Sequence, residues 1–299
     1  MGLFDKPRAR DVTTLVLEST DMRFLTTKNG QISAWGSEAL PAGLLAEGVV
    51  TDAAEMGRFI ETAFERHGLD KKRVVTAVSG RRSIPRLLTL PKLQASVIEE
   101  TISREARKEM PISLDDLYLS WQSIPGQTEE VQRIYMLGVP RDLIDSQVRA
   151  LQAAGISPFV TDIKPLALVR AIGQPDAIIV NLEEDELDLT LVTDRLPAIM
   201  RTFSLDRENL GIEAKLDRLV SELTQTVRFY NDSHPTSPIR ESTSVYATGL
   251  AFGDQGASDF VRDRLDRPLL QPIPPLSCPD DMPSQEYMTN LGLAMKKVP

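Results

Sequence analysis

The chain has 299 residues, 41% of them hydrophobic and 26% charged, enough to bury a core in one large or two medium domains without disulfides or bound metal. Its net charge of −9 argues against a nonspecific nucleic-acid binder and against broad adsorption to anionic lipid. Its one cysteine, Cys278 in the Pro-rich stretch PIPPLSCPDDMP, excludes an intrachain disulfide and fits a reducing compartment.

The chain opens with MGLFDKPRARDVTTLVLE, which lacks the apolar region of a secretion signal. No apolar run approaches the roughly 18 residues of a spanning helix, so no direct membrane insertion is expected. Alternating or apolar runs at 12–18, 22–27 and 31–35 predict three strands, the last two joined by a turn at Asn29-Gly30. Asp52 is placed to cap a helix with Met56, Phe59, Ile60 and Phe64 on one face, ended by Gly68. A continuous apolar run at 74–78 follows, of the kind buried in a central sheet.

Residues 81–160 read as a unit of their own, with equal numbers of acidic and basic residues. The pattern is a strand at 84–90 broken at Pro85, then a helix over 93–110 with Leu93, Val97, Ile102, Ala106 and Met110 inward. Strands at 117–123 and 133–139 are separated by a polar loop at 126–129. A helix over 141–153 closed by Gly155 and a strand at 157–161 complete a β-α-β-β-α-β order. The second half restarts with strands at 177–182, 187–192 and 198–203, an acidic turn at 183–186, and a long helix with Ile212, Leu216, Leu219, Leu223, Val227 and Tyr230 in helical spacing. Next come a strand at 243–247, a turn at Gly249, part of a helix at 259–265, an extended Pro-rich run at 269–276 and a closing helix at 285–297. Three strands and then a helix thus occur twice, a repeat of architecture without a repeat of sequence. The class is α/β with mixed sheets, and the layout admits two readings: two related halves of an actin-like kind, or two unrelated α/β domains.

Five stretches carry a resemblance in order: LPAGLLAEGVVTDAAEMGRFI, VVTAVSGRRSIPRLLTLPKL, ISREARKEMPISLDDLYLSWQ, MLGVPRDLIDSQVRALQAAGISPFVTDIKPLALVRAI and, near the end, EYMTNLGLAMK. Together the chain resembles PilM-type pilus assembly proteins, actin-like relatives of the division protein FtsA. The resemblance implies an actin-like ATPase fold: a first half over 1–175 with an inserted subdomain at 81–160, and a second half over 176–299 with a shortened small subdomain at about 206–242.

The resemblance also implies ATP held with Mg²⁺ between glycine-rich hairpin turns. The matching positions are Glu18, Ser19, Thr20 and Arg23 in the first turn, Asn181 and Glu183 in the second, and Gly249 in the adenine loop. Here both turns lack glycine, and carboxylates stand where phosphate would lie. Two readings follow: a scaffold that keeps the fold without the ATPase, or a divergent site with Mg²⁺ on Glu18, Glu183 or Asp185. The acidic turn itself reads most simply as a solvated hairpin tip. The resemblance implies an adaptor at the inner face of the inner membrane. Its partners would be other pilus assembly components and a bitopic PilN-like protein, whose cytoplasmic tail resembles Ile-Asn-Leu-Leu-Pro. The matching contact positions are Arg86, Leu88, Leu90, Pro91, Ile102 and Arg104. The alternative is an FtsA-like ATPase or filament former, but the chain stops soon after its last helix without that protein's terminal amphipathic anchor. Arg81, Arg82 and Arg86 form a small basic cluster in sequence. His67 and His234, both near helix ends, offer no material for a triad or metal site.

Overall fold

A computed structural model describes residues 11–124, 130–205 and 211–297. The first half starts as a meander of β1 (Val12–Leu17), β2 (Asp21–Lys28) and β3 (Gln31–Ala39), then a small ribbon of β4 (Leu45–Ala46) and β5 (Val49–Val50). Asp52 caps α1 (Ala53–His67) by accepting from the Ala54 and Glu55 amides at 2.9 Å, and Gly68 ends it in the left-handed region. Met56, Ile60 and Phe64 face the sheet, where burial of each large side chain is worth about 1.5–3 kcal/mol. β6 (Val74–Val78) then pairs parallel to β1.

An excursion follows: β7 (Ile84–Pro91), α2 (Ala95–Glu109), β8 (Leu117–Ser123) and β9 (Val131–Pro140). The chain returns through α3 (Arg141–Ala153), β10 (Val160–Ile163) and α4 (Lys164–Ile172). The first sheet has the order β10-β6-β1-β2-β3. The second half repeats this path with β11 (Ala177–Leu182), β12 (Glu186–Thr193), β13 (Leu196–Ser204), α5 (Ile212–Ser233), β14 (Val245–Thr248), α6 (Gln255–Arg262), β15 (Leu269–Leu270) and α7 (Met288–Ala294). Its order, β13-β12-β11-β14-β15, matches the first strand for strand: an antiparallel meander, then two parallel additions. The repeat read from the sequence is therefore a repeat of topology. α4 and α7, the last helix of each half, pack together so closely that a Cβ on Gly292 would come 1.9 Å from the Ala167 carbonyl. This accounts for the Gly in the closing Gly-Leu-Ala. Asn290 on α7 donates to Thr14 Oγ1 and to the Arg23 carbonyl, both at 3.2 Å, and so ties the end of the chain to the first sheet.

Several sequence expectations are corrected. The unit expected over 81–160 does not close on itself. Only β7, α2, β8 and β9 form the inserted layer, whereas α3 packs on α1 and β10 joins the first sheet. Pro85 does not break its strand, because β7 is the edge of the sheet β7-β9-β8 and Pro85 needs no partner on its open side. Val97 is exposed and Ile98 takes the inward place, since the buried row runs through 98, 102, 106 and 110. Ile212, at the first turn of α5, is exposed as well. The run at 269–276 pairs only over Leu269–Leu270, the prolines beyond it having no amide to donate. The loop at 126–129 and residues 206–210 of the shortened subdomain lie outside the described residues.

Candidate functional site

The two β-hairpins opening the halves meet tip to tip, and their turns are built alike. The Glu18 amide donates to the Asp21 carbonyl at 2.8 Å, and the Glu183 amide to the Glu186 carbonyl at 2.9 Å. Across the gap, Ser19 Oγ donates to Asp185 Oδ1. Arg23 on β2 forms a two-pronged pair with Glu183, at 2.7 and 3.0 Å, while its Nε holds Asp21 at 2.7 Å and Nη1 donates to the Glu286 carbonyl. Lys164, the first residue of α4, reaches Glu18 at 2.5 Å and Glu186 at 3.2 Å, and Arg81 also holds Glu186 at 3.1 Å. Ser79 Oγ donates to the same carboxylate, and Asp188 accepts from Thr202 Oγ1 at 2.6 Å.

These groups are out of water. Glu18, Arg23, Lys164, Glu183 and Glu186 are all buried, so the acidic turn is not the solvated hairpin tip expected from sequence. Only Glu184 projects outward, where Lys215 holds it at 2.7 Å. Carboxylates outnumber cations in the patch, and the electrostatics follow. Burial pushes the Glu18 carboxyl up to about 8, Lys164 opposing and Glu183 reinforcing the shift. Burial likewise raises Asp188 to about 7, with Glu186 adding to it; its Oδ2 has no hydrogen-bond partner among the described residues. Burial also raises Glu186, but Lys164 and Arg81 outweigh it and hold that carboxyl below its usual range. Lys164 stays firmly protonated because its carboxylate neighbours overcome the cost of desolvation.

The residues expected to cradle a nucleotide are thus brought together but differently employed. Glu18, Ser19, Arg23 and Glu183 belong to the ion-paired lock, and Thr20 lies exposed at the turn. Asn181 accepts from Thr248 Oγ1. Gly249 has φ 97°, and a Cβ there would stand 2.6 Å from the Leu182 carbonyl, so this glycine serves a close backbone approach. The void left between the tips is about 20 Å³, room for a water and far below the roughly 300 Å³ of a small-ligand pocket. These residues do not fit a magnesium triphosphate. Among the described residues no cluster of three or more acidic, His or Cys side chains is arranged to hold a metal ion. Sequence reading missed Lys164, Arg81, Asp188 and Ser79. One signal was available for Lys164: a cation at a helix N-terminus opposes the helix dipole and calls for acidic neighbours.

The six positions expected to contact a peptide do not share one groove. Leu88, Leu90 and Ile102 meet in the core of the insert, and Ile102, at 1% exposure, would reach a ligand only if that core opened. Arg104 is exposed on α2, beside Glu105. Arg86 leans on the end of α2, donating to the Glu109 carbonyl at 3.2 Å and to the Pro85 carbonyl at 2.9 Å. Nor do the three arginines form a cluster, since Arg81 pairs with Glu186 and Arg82 with Asp142. His67 pairs with Glu38 and His234 stacks on Tyr230, both as helix-end residues. What β7 does offer is its edge. Lys92 N donates to the Glu130 carbonyl, which fixes alternate residues of β7 as bonded to β9 and turns the amides and carbonyls of Leu87 and Thr89 outward. Those groups have no partner among the described residues.

Two related halves, each a five-stranded sheet with the same strand order, and a small layer inserted in the first, define an actin-like ATPase fold. Solved structures agree. A PilM–PilN type IV pilus biogenesis complex matches with a TM-score of 0.77 at 22% identity, over 96% of this chain and 98% of that one. The ethanolamine utilization protein EutJ from Carboxydothermus hydrogenoformans matches at 0.56 and 13%, over 98% and 92%. The cytoplasmic domain of EpsL, an inner-membrane component of the Vibrio cholerae type II secretion system, matches at 0.51 and 14%, over 96% of each chain. No curated protein sequence matches significantly. The family described as type IV pilus assembly protein PilM matches residues 15–209, about two thirds of the sequence. The chain belongs to that family, and its role lies in type IV pilus assembly. Among the described residues no helix is long and apolar enough to cross a membrane.

Proposed function

We propose that this chain is an adaptor that captures the cytoplasmic tail of a PilN-like bitopic inner-membrane protein and is held at the membrane by that tail. The observation that carries the reading is the open edge of β7 on the inserted layer. Extended peptides bind exposed strand edges by main-chain pairing, with side-chain pockets setting the sequence preference. Leu87 and Thr89 offer the unpaired backbone, and the flanking Pro85 and Pro91 confine pairing to a short window. Arg86 and Pro91, of the six positions, lie at this edge; Leu88, Leu90 and Ile102 support it from beneath. The ion-paired hairpin tips support a scaffold that stays closed without nucleotide. With a net charge of −9 the chain has little affinity of its own for anionic lipid, so recruitment depends on the partner.

The test is fluorescence anisotropy with a labelled Ile-Asn-Leu-Leu-Pro peptide against the full chain. Saturable binding is expected, weakened by Arg86→Glu, which places a carboxylate beside the Pro85 and Glu109 carbonyls. In cells, the chain should fractionate with membranes only when its bitopic partner is present. Pelleting with partner-free membranes would mean direct lipid binding and defeat this account.

A further inference from the structure

The apolar stripe of α5 runs one turn further than the core it serves. Leu216 is buried, but Ile212, one turn before it, stands 52% exposed. It is not an isolated apolar side chain. Leu250, in the single helical turn after Gly249, is 39% exposed, and Phe260 on α6 is half-buried. Together with the buried Leu216 and Ala257 they line an open trough of about 460 Å³ between the start of α5 and α6. That volume lies within the roughly 300–1,000 Å³ of a ligand site, whereas the gap between the hairpin tips accepts no side chain.

The rim of the trough is acidic, and the surplus survives a count of the pairs. Among the described residues its charged lining is Glu183, Glu184, Glu213, Asp254 and Lys215. Glu183 is engaged by Arg23, and Glu184 by Lys215, the one cation of the set. The nearest further cation, Arg264, lies over the Phe260 ring and is held by Asp217 at 3.3 Å. That leaves one carboxylate on each wall, Glu213 on α5 and Asp254 at the start of α6, both exposed and neither in an ion pair among the described residues. Asp254 accepts from the Gly256 amide at 2.7 Å and so caps α6. Both stand at helix N-termini, where the dipole favours an acid, but a dipole end carries about half a charge and leaves the remainder facing the trough. Such a rim repels phosphate, which tells against a nucleotide beside Gly249 as it does at the hairpin tips.

We propose that this trough docks a short amphipathic helix of a protein partner, apolar on one face and bearing lysine or arginine beside it. Two neighbouring helices with an apolar floor form the kind of groove that takes a third helix by anchors at i, i+3, i+4 and i+7. The two free carboxylates select a basic helix and reject an acidic one. Segments of this composition flank the cytoplasmic ends of membrane spans, where Lys and Arg accumulate. The trough shares no residue with β7 or with the cleft beside it, so the inference goes beyond tail capture and stands or falls without it.

The experiment uses the full chain and a labelled synthetic helix of Leu and Lys, with Leu at i, i+3, i+4 and i+7, beside a counterpart with Glu for Lys. At low salt the Lys helix should bind saturably and about tenfold tighter than the Glu helix. Glu213→Gln combined with Asp254→Asn keeps the cap on α6, since Asn serves there as well as Asp, and should weaken the Lys helix about tenfold. Glu99→Gln combined with Glu100→Gln removes the same charge from exposed positions of α2 and should leave binding unchanged. Ile212→Ser, at an exposed first-turn position, should weaken binding about tenfold at low and high salt alike, with the unfolding midpoint in place. Equal loss from the two double variants overturns the site, because net charge alone then attracts the helix. Indifference to Ile212→Ser overturns the trough as its location. Displacement of the helix by adenosine gives the trough to a nucleobase and overturns the inference, and failure of the Lys helix to bind does the same.

Discussion

The two halves face each other across two clefts that have been treated in opposite ways. Between the hairpin tips every cation is matched to carboxylates and about 20 Å³ remains; between the insert and the second half about 700 Å³ stays open, rimmed by arginines and aspartates. The first cleft is closed by side chains from β2, α4 and β12 and from the turns that follow β1, β6 and β11, whose positions the repeated sheets dictate. The second exists because the inserted layer has no counterpart in the second half, so nothing in the repeat fills the space beside it. Within an actin-like frame, the duplicated part supplies rigidity and the unduplicated part supplies surface.

If the hairpin tips are locked by ion pairs, removing the central cation should cost most. Lys164→Met keeps the stem and deletes the charge that holds Glu18 and Glu186. Breaking a buried pair by taking one partner strands the other, and a loss of about 3–5 kcal/mol is expected in denaturant unfolding near neutral pH. Adding Glu186→Gln should restore part of it, since Glu186, the carboxylate that Lys164 holds in its charged form, is then neutral. A loss below about 1 kcal/mol would show that packing of α4 on α7, and not the ions, holds the halves together.

A smaller effect concerns the surplus of carboxylates. Asp188 and Glu18 have folded values raised by burial to about 7 and about 8. Between their ordinary values and these, the folded state binds more protons than the unfolded state. Their contribution is therefore fully present below the ordinary carboxylate range and is lost as pH rises through about 7 and about 8. Glu186 and Asp162, held low by Lys164 and by Arg170 after burial is overcome, act in the opposite sense: their contribution is lost as pH falls through their depressed values. Stability should accordingly decline from mildly acidic to mildly alkaline pH. Asp188→Asn, which can still accept from Thr202, should flatten that decline and add on the order of 1–2 kcal/mol at the alkaline end. An unaltered slope would place the titrating group elsewhere.

The same contrast separates what could be read in the sequence from what could not. The meanders were legible because turns such as Asn29-Gly30 and caps such as Asp52 are local chemistry, and the repeat followed from them. The extent of the insert was not legible: the apolar face of α3 looks the same whether it covers the insert or packs on α1. The lock was hidden for a similar reason. Glu183 lies 160 residues from Arg23 and Lys164 lies 146 from Glu18, so an acidic run that is paired and buried reads as a solvated turn. For β7, the sequence predicted a strand and the resemblance made Leu88 and Leu90 contact positions, but neither could say that the strand is an edge, and it is the edge that gives Leu87 and Thr89 their significance.

The smallest expected effect is a null one, and it bears most directly on the contrast between the clefts. A ligand held at 100 times its Kd raises folding stability by about 2.7 kcal/mol, a shift readily seen in a thermal scan. Mg-ATP at millimolar concentration should produce none. To enter between the tips, a triphosphate would have to draw Lys164 away from Glu186 and Arg23 away from Glu183, leaving those two carboxylates buried and facing phosphate. Each such like-charge contact at about 4 Å costs about 4 kcal/mol at an effective dielectric of 20, before the expense of parting the hairpins. The cations recovered from the lock cannot serve both the carboxylates and the phosphates. The same scan with the Lys164→Met variant, whose tips should part more readily, separates a cleft closed by its own ions from one merely too narrow. If width alone excludes nucleotide, the variant should gain a shift with Mg-ATP; if the surplus of carboxylates excludes it, the variant, with one cation fewer, should remain as indifferent as the parent chain.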